Sequence, residues 1–270
     1  MSVIDSHANL MYSASNYGTV SRMGGYYLSA ATTAATISSG FTTIQRYPFN
    51  LNIFGGTSSS PSLGAGVTGC YMTAFRANSE DVSCIYLCAI EYQMGQVTAN
   101  GGTGTFSDGS ALPSKTIRHA GTNNTVTIAP LKIFAYVSTT MVGSGTYTLT
   151  ITYANQDGTG SRTATLTLPN VSAVNSTFDV TPHLQSGDTS ITDVTNITLS
   201  GTSGVVRIMG LLPIGFSIGS TLDDFALYND PLTNNLPMYP ISNTDSIAIY
   251  RLGSNSTNNL LYHFTIVADY

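Results

Sequence analysis

The stretch 146–168 constrains this chain more than any other. Tyr147, Leu149, Ile151 and Tyr153 alternate with Thr146, Thr148, Thr150 and Thr152 in a strict period of two. That spacing sends successive side chains to opposite faces of an extended strand and does not suit one face of a helix. Asn155-Gln156-Asp157-Gly158-Thr159-Gly160 follows, with Asp-Gly turn chemistry and two glycines able to take a positive φ. Arg162, Ala164, Leu166 and Leu168 then alternate with Thr163, Thr165 and Thr167 until Pro169 and Asn170 stop the run. The pattern predicts an antiparallel hairpin with one apolar face turned inward and a threonine-lined face meeting water or another sheet. Asp157 is placed to accept backbone donors in an Asx turn.

The same reading extends to both ends of the chain. Strands are predicted at 177–181, 196–199, 205–211, 246–252 and 260–268, and in the first half at 68–76, 82–92, 125–128 and 132–138, with Gly, Asn, Ser and Pro between them. One short helix is expected where Ser220 caps with Asp223 three residues on. Leu222 and Phe225 share its face, and Asn229, Asp230 and Pro231 end it. The first 60 residues carry no long amphipathic helix, and the threonine run in 28–39 weakens a helical reading of that Ala-rich stretch. The expected fold is all-β, an antiparallel β-sandwich or jelly roll with an extended N-terminal arm and loops. Gly143-Ser144-Gly145 suggests a division into an irregular β-rich region, 1–143, and a β-sandwich domain, 144–270. The same glycines suit a hairpin turn within one continuous sandwich.

Charge narrows the function classes. Lys, Arg, Asp and Glu make up 9% of the 270 residues, against about 25% in an ordinary soluble domain. The surface must therefore be built from Ser, Thr, Asn, Gly and Tyr, or be pressed against neighbouring protein, because ionic hydration is scarce. This is the composition of an assembly component. Nine scattered basic residues against fourteen acids suit nucleic-acid binding poorly, since a phosphate backbone is held mainly by Lys and Arg. No run of about 18 apolar residues predicts a membrane span. The start of the chain, with Asp5 and no basic or apolar run, does not read as a secretory signal. Sequons at Asn123, Asn170, Asn175, Asn196 and Asn255 are what chance gives in so much Asn, Ser and Thr.

Each candidate site has a structural reading beside the chemical one. Three cysteines leave at least one unpaired and fit a reducing environment. Cys84 and Cys88 lie about 13 Å apart on a strand, too far for one disulfide or one tetrahedral metal, although a helical stretch would allow it. Apolar neighbours on both faces make them buried inert thiols of a central strand. Cys70 comes near either one only if the pairing register allows it. His7, His119, His183 and His263 form no metal-ligand doublet, and no nucleophile-elbow, zinc-protease or phosphate-loop pattern is present. Gly101-Gly102-Thr103-Gly104 lacks the Lys-Ser/Thr ending of a phosphate loop and reads as a turn. Asp223 and Asp224, with Asp230 further on, resemble a carboxylate pair that could hold calcium, but adjacent helical residues diverge and Asp223 already serves the cap. No catalytic, cofactor-binding or metal residues are assigned.

Tyrosines are a further candidate group. Tyr26, Tyr27, Tyr47, Tyr71, Tyr86, Tyr92, Tyr136, Tyr228, Tyr239, Tyr250, Tyr262 and Tyr270 offer large contact area with a polar handle, suited to subunit interfaces or sugar stacking. The absence of Trp counts against a dedicated carbohydrate-binding module.

The segment 147–168, where an alternating strand enters Asn155-Gln156-Asp157-Gly158 and resumes at Arg162-Thr163-Ala164, resembles a β-sandwich hairpin of tailed-bacteriophage virion proteins. The likeness covers about 25 residues. It implies a capsid-associated, decoration or connector-type structural protein in a symmetric particle. The expectation is a non-enzymatic virion component without cofactors, whose partners are further copies of itself and other virion proteins, with no membrane and no nucleic acid. The alternative is a receptor- or glycan-binding module of a tail fibre or spike.

Overall fold

The computed structural model describes residues 20–27, 44–49, 69–79, 84–101, 104–109, 112, 114–119, 122–127, 130, 132–143, 146–169, 172, 174, 176–219, 227–228, 239–241, 245–252 and 260–269. In chain order the strands are β1 (Val20–Tyr27), β2 (Ile44–Phe49), β3 (Gly69–Ser79), β4 (Cys84–Thr98), β5 (Thr105–Asp108), β6 (Ser114–His119), β7 (Thr122–Thr127) and β8 (Lys132–Thr139). They continue with β9 (Tyr147–Asn155), β10 (Arg162–Leu168), β11 (Thr177–Asp179), β12 (Ile191–Leu199), β13 (Val205–Gly219), β14 (Leu227–Tyr228), β15 (Ser246–Leu252) and β16 (Leu260–Asp269). Among the described residues the sole helical piece is a 3-10 turn, Thr181–His183. The fold is all-β, as the alternation predicts.

A large antiparallel sheet, β11-β8-β13-β4-β15-β2, forms one layer, with β14 pairing β13 and β5 pairing β4. The three-stranded sheet β10-β9-β12 packs against it, and together they form a sandwich. The apolar row predicted for the hairpin lines this core: Leu149, Ile151, Tyr153, Ala164, Leu166 and Leu168 meet Ile133, Ala135, Val137, Val97, Val206 and Ile208. Its alternation is visible in exposure, since Ile151 is fully buried while Thr163, Thr165 and Thr167 are exposed. Burying each large aliphatic side chain of such a row contributes about 1.5–3 kcal/mol.

β4 and β13, each about 50 Å long at strand rise, carry a second three-stranded sheet, β1-β16-β3, further along. Phe75 of β3 is buried against Gly215 of β13, where a Cβ would lie 2.6 Å from that of Phe75. Gly215 pairs with Cys88, whereas Pro213 pairs with Ala89 across a register shift.

Strands from both sides of residue 143 share the large sheet, because β13 pairs with β4 and β8. The proposed cut at 143/144 lies where the chain leaves the large sheet after β8 and enters the small one at β9. Within the first 60 residues, read as an arm, β1 pairs with β16 and β2 with β15.

Two local expectations are corrected. β13 runs past 211 to Gly219, because the ladder with β8 already ends at the Leu211–Lys132 pair and Pro213 sits at a bulge, where its missing N–H breaks no bond to that strand. The helix expected over 220–229 is not helical at its end: Leu227–Tyr228 is a strand paired with Ile218 and Ser217. The cap at Ser220, with Asp223 and Asp224, lies outside the described residues.

Candidate interaction surface

The outward face of the small sheet is a grid of hydroxyl groups. Register places Thr163, Thr152 and Asn196 in one row across the three strands, then Thr165, Thr150 and Thr198, and then Thr167 beside Thr148. Strand spacing fixes the rows about 4.8 Å apart in one direction and about 6.7 Å in the other. Each hydroxyl can donate and accept, so the face offers many neutral hydrogen-bonding groups. Asp193, opposite Ala154, is the one charge among these positions.

The two edges of this sheet differ. β12 is interrupted by two register shifts against β9, a distortion that blunts an edge. β10 has neither bulge nor proline and pairs in unbroken register from Arg162 to Leu168. Its polarity follows from its neighbour. Thr148 turns its backbone toward β12, where its carbonyl accepts from Ser200 N–H at 3.0 Å and its N–H donates to Ser200 Oγ at 2.7 Å. Leu149, Ile151 and Tyr153 therefore face β10, and their partners Leu166, Ala164 and Arg162 face back. Thr163, Thr165 and Thr167 are left directing N–H and C=O away from the sheet.

A charged cluster closes the end of the hairpin. Arg162 donates from Nε to Asp188 Oδ2 and from Nη2 to Oδ1, both at 2.9 Å. Tyr153 Oη donates to Oδ2 at 2.7 Å and Asn155 Nδ2 to Oδ1 at 2.9 Å. The Asp188 side chain is 2% exposed. The Arg162 hydrogen bonds, followed by those from Asn155 and Tyr153, hold its pKa down at about 2, against the opposing effect of desolvation. With four donors on two oxygens, this carboxylate is fully used in tying the loop after the 3-10 turn to the hairpin. Its arrangement leaves no lone pair directed at a ligand.

A second buried acid lies on the far face of the large sheet. Glu91 of β4 is 4% exposed and accepts from Ser246 Oγ at 3.1 Å and from Tyr250 Oη. The Tyr250 ring meets Phe134 edge-on, with centroids 5.2 Å apart, within a cluster of Ala89, Met209, Leu211 and Ala248. Burial with two hydroxyl donors makes Glu91 a polar tie between β4 and β15 inside apolar surroundings.

The residues singled out in the sequence do not converge. Cys84 and Cys88 share strand β4, as the spacing argument requires. Cys88 is fully buried and its thiol pKa is pushed up by desolvation, so it carries no thiolate at neutral pH. Cys70 pairs through its backbone with Ala268 in the other sheet. His183 is exposed at the end of the 3-10 turn, His119 ends β6, and His263 lies opposite Arg76 and Gly24. His7, Asp223, Asp224 and Asp230 lie outside the described residues. No group of His, Cys, Asp and Glu among the described residues could hold a metal ion, and no described helix is long and apolar enough to cross a membrane.

The hairpin turn corrects one assignment. Asn155, not Asp157, accepts the backbone donors: its Oδ1 takes the N–H groups of Asp157 at 3.1 Å and Thr159 at 2.9 Å. Gly158 takes φ +75°, whereas the second left-handed residue is Ser161 at φ 60° rather than Gly160. Arg162–Asp188 and Glu91–Tyr250 were missed in the sequence reading, because the partners are separated by other strands and no spacing rule links them. No family model matches the chain, and no curated protein matches it in sequence.

Proposed function

We propose that this chain is a non-enzymatic structural subunit of a bacteriophage particle, a capsid-associated or decoration protein that works through sheet surfaces shared with neighbouring copies. The observation that carries the reading is the threonine-rich face of β10-β9-β12 beside a regular edge strand whose one charge, Arg162, is paired with Asp188 within the fold. A soluble protein that works alone commonly guards such an edge with Lys, Pro or a bulge. The 9% charge of the whole chain supports the same reading, as does the hairpin likeness over 147–168. The buried acids Asp188 and Glu91 are each held by hydrogen bonds within the fold, which supports a structural role. The glycan-binding alternative gains no aromatic platform from Tyr86, Tyr92 and Tyr250, which are buried.

The test is quantitative mass spectrometry of gradient-purified particles from the phage that encodes the chain. The expected result is the chain at a fixed multi-copy ratio to the major capsid protein, retained through a high-salt wash. Its absence from washed particles would refute the proposal.

A further inference from the structure

We infer that β10 is a homotypic docking edge, on which the β10 strand of a second copy pairs antiparallel about a two-fold axis at Thr165. The inference deepens the structural-subunit reading and rests on it for its biological setting. Thr163, Thr165 and Thr167 direct backbone donors and acceptors outward, and these groups are the requirement for adding a strand.

The strand is complementary to itself in this register. Pairing about Thr165 sets Thr163 opposite Thr167 of the partner subunit, and Ala164 opposite Leu166 of the partner subunit, so hydroxyl meets hydroxyl outside and apolar meets apolar inside. A one-residue slip would oppose Thr to Leu and turn apolar side chains toward water. Charge does not oppose the contact, since the Arg162 guanidinium is neutralised by the bidentate pair with Asp188 in each copy. Gln185 Nε2 donates to Thr163 Oγ1 at 3.2 Å in an exposed contact and has to swing aside when the second strand docks.

The product is a continuous six-stranded sheet with a doubled threonine face. A seven-residue edge buries less than the roughly 1,600 Å² of a standard interface, so the isolated contact is weak and rises with concentration. In a particle, many such contacts act together.

The experiment is oxidative cross-linking of Thr165→Cys, with Thr198→Cys on the far strand as control, and sedimentation equilibrium of the intact protein and of Thr165→Lys. Directly opposed residues of a hydrogen-bonded pair lie about 5.5 Å apart at Cα, within disulfide reach. The expected result is a covalent dimer from Thr165→Cys and none from Thr198→Cys. The intact 28.4-kDa chain should move toward twice its mass as concentration rises, and Thr165→Lys, checked for a native circular dichroism spectrum, should weaken association at least tenfold. Equal cross-linking of the two cysteine variants, or unchanged association of Thr165→Lys, would overturn the inference. A chain that stays monomeric but loses particle binding on Thr165→Lys would give the edge to a different virion protein and also overturn it. The virion reading is judged separately: a chain present in washed particles without cross-linking at 165 loses only the edge, and cross-linking without particle association loses only the virion role.

Discussion

The ring of Tyr147 occupies the space that a side chain at Gly201 would need: a Cβ on Gly201 would lie 1.6 Å from Tyr147 Cε1. Its hydroxyl donates to the Val142 carbonyl at 2.7 Å, the arrangement of a tyrosine corner, in which a ring pins the chain as it passes between sheets. Ser203 Oγ donates to the same carbonyl at 2.8 Å, so the loops before β9 and before β13 are tied at one point. Gly201→Ala must displace the ring, and overpacking of this kind costs about 1–3 kcal/mol. Tyr147→Phe loses one hydrogen bond, about 1 kcal/mol. Thermal melts should rank Gly201→Ala as the more damaging change, and the reverse order would mean that the ring moves easily.

Acid should loosen the hairpin end in a defined window. Asp188 has a folded pKa of about 2 against an ordinary value of 3.8. A depressed carboxylate contributes stability that is fully present above the higher value and is lost as pH falls through the lower one. Denaturant unfolding between pH 5 and about pH 2 should therefore show falling stability in the intact protein. Asp188→Asn should be less stable at neutral pH, with a flatter dependence across that window. An unchanged pH slope in the variant would refute the assignment.

The faces of β9 should differ sharply in tolerance. Ile151 is fully buried, so Ile151→Asp puts a carboxylate into the core and costs several kcal/mol or forces its protonation. Thr150 faces outward and is partly exposed, so Thr150→Asp should be the milder change. Comparable losses in urea midpoint would show that both faces of the small sheet are covered.

Ser161 holds φ 60°, a conformation unfavourable to most L-residues by about 1–2 kcal/mol. Asn tolerates that region better, so Ser161→Asn should raise Tm by a few degrees, while Ser161→Val should lower it. A lower Tm for the Asn variant would contradict the assigned backbone geometry.

β16 is the central strand of its sheet, paired along one side with β1 and along the other with β3. Deleting residues 261–270 removes both ladders at once, and the expected outcome is loss of cooperative unfolding. A truncated protein with native circular dichroism and an unchanged melt would show that the third sheet is dispensable.

The hairpin was legible in the sequence because alternation acts locally: neighbouring residues of a strand point to opposite faces wherever the strand is placed. Tyr147 to Tyr153, the turn at Gly158 and the return from Arg162 to Leu168 needed no knowledge of the rest of the chain. Which strands would lie side by side was another matter. Backbone groups that form ladders are the same in every residue, so the sequence of β13 does not name β4 and β8 as its partners. Only the folded chain sets Asp188 on Arg162 and Glu91 beneath Tyr250, because such polar partners depend on which segments lie side by side and in what register rather than on spacing along the chain. The same holds for the β10 edge: its threonines were readable, but their outward-facing backbone was decided by β9 pairing with β12 on its other side.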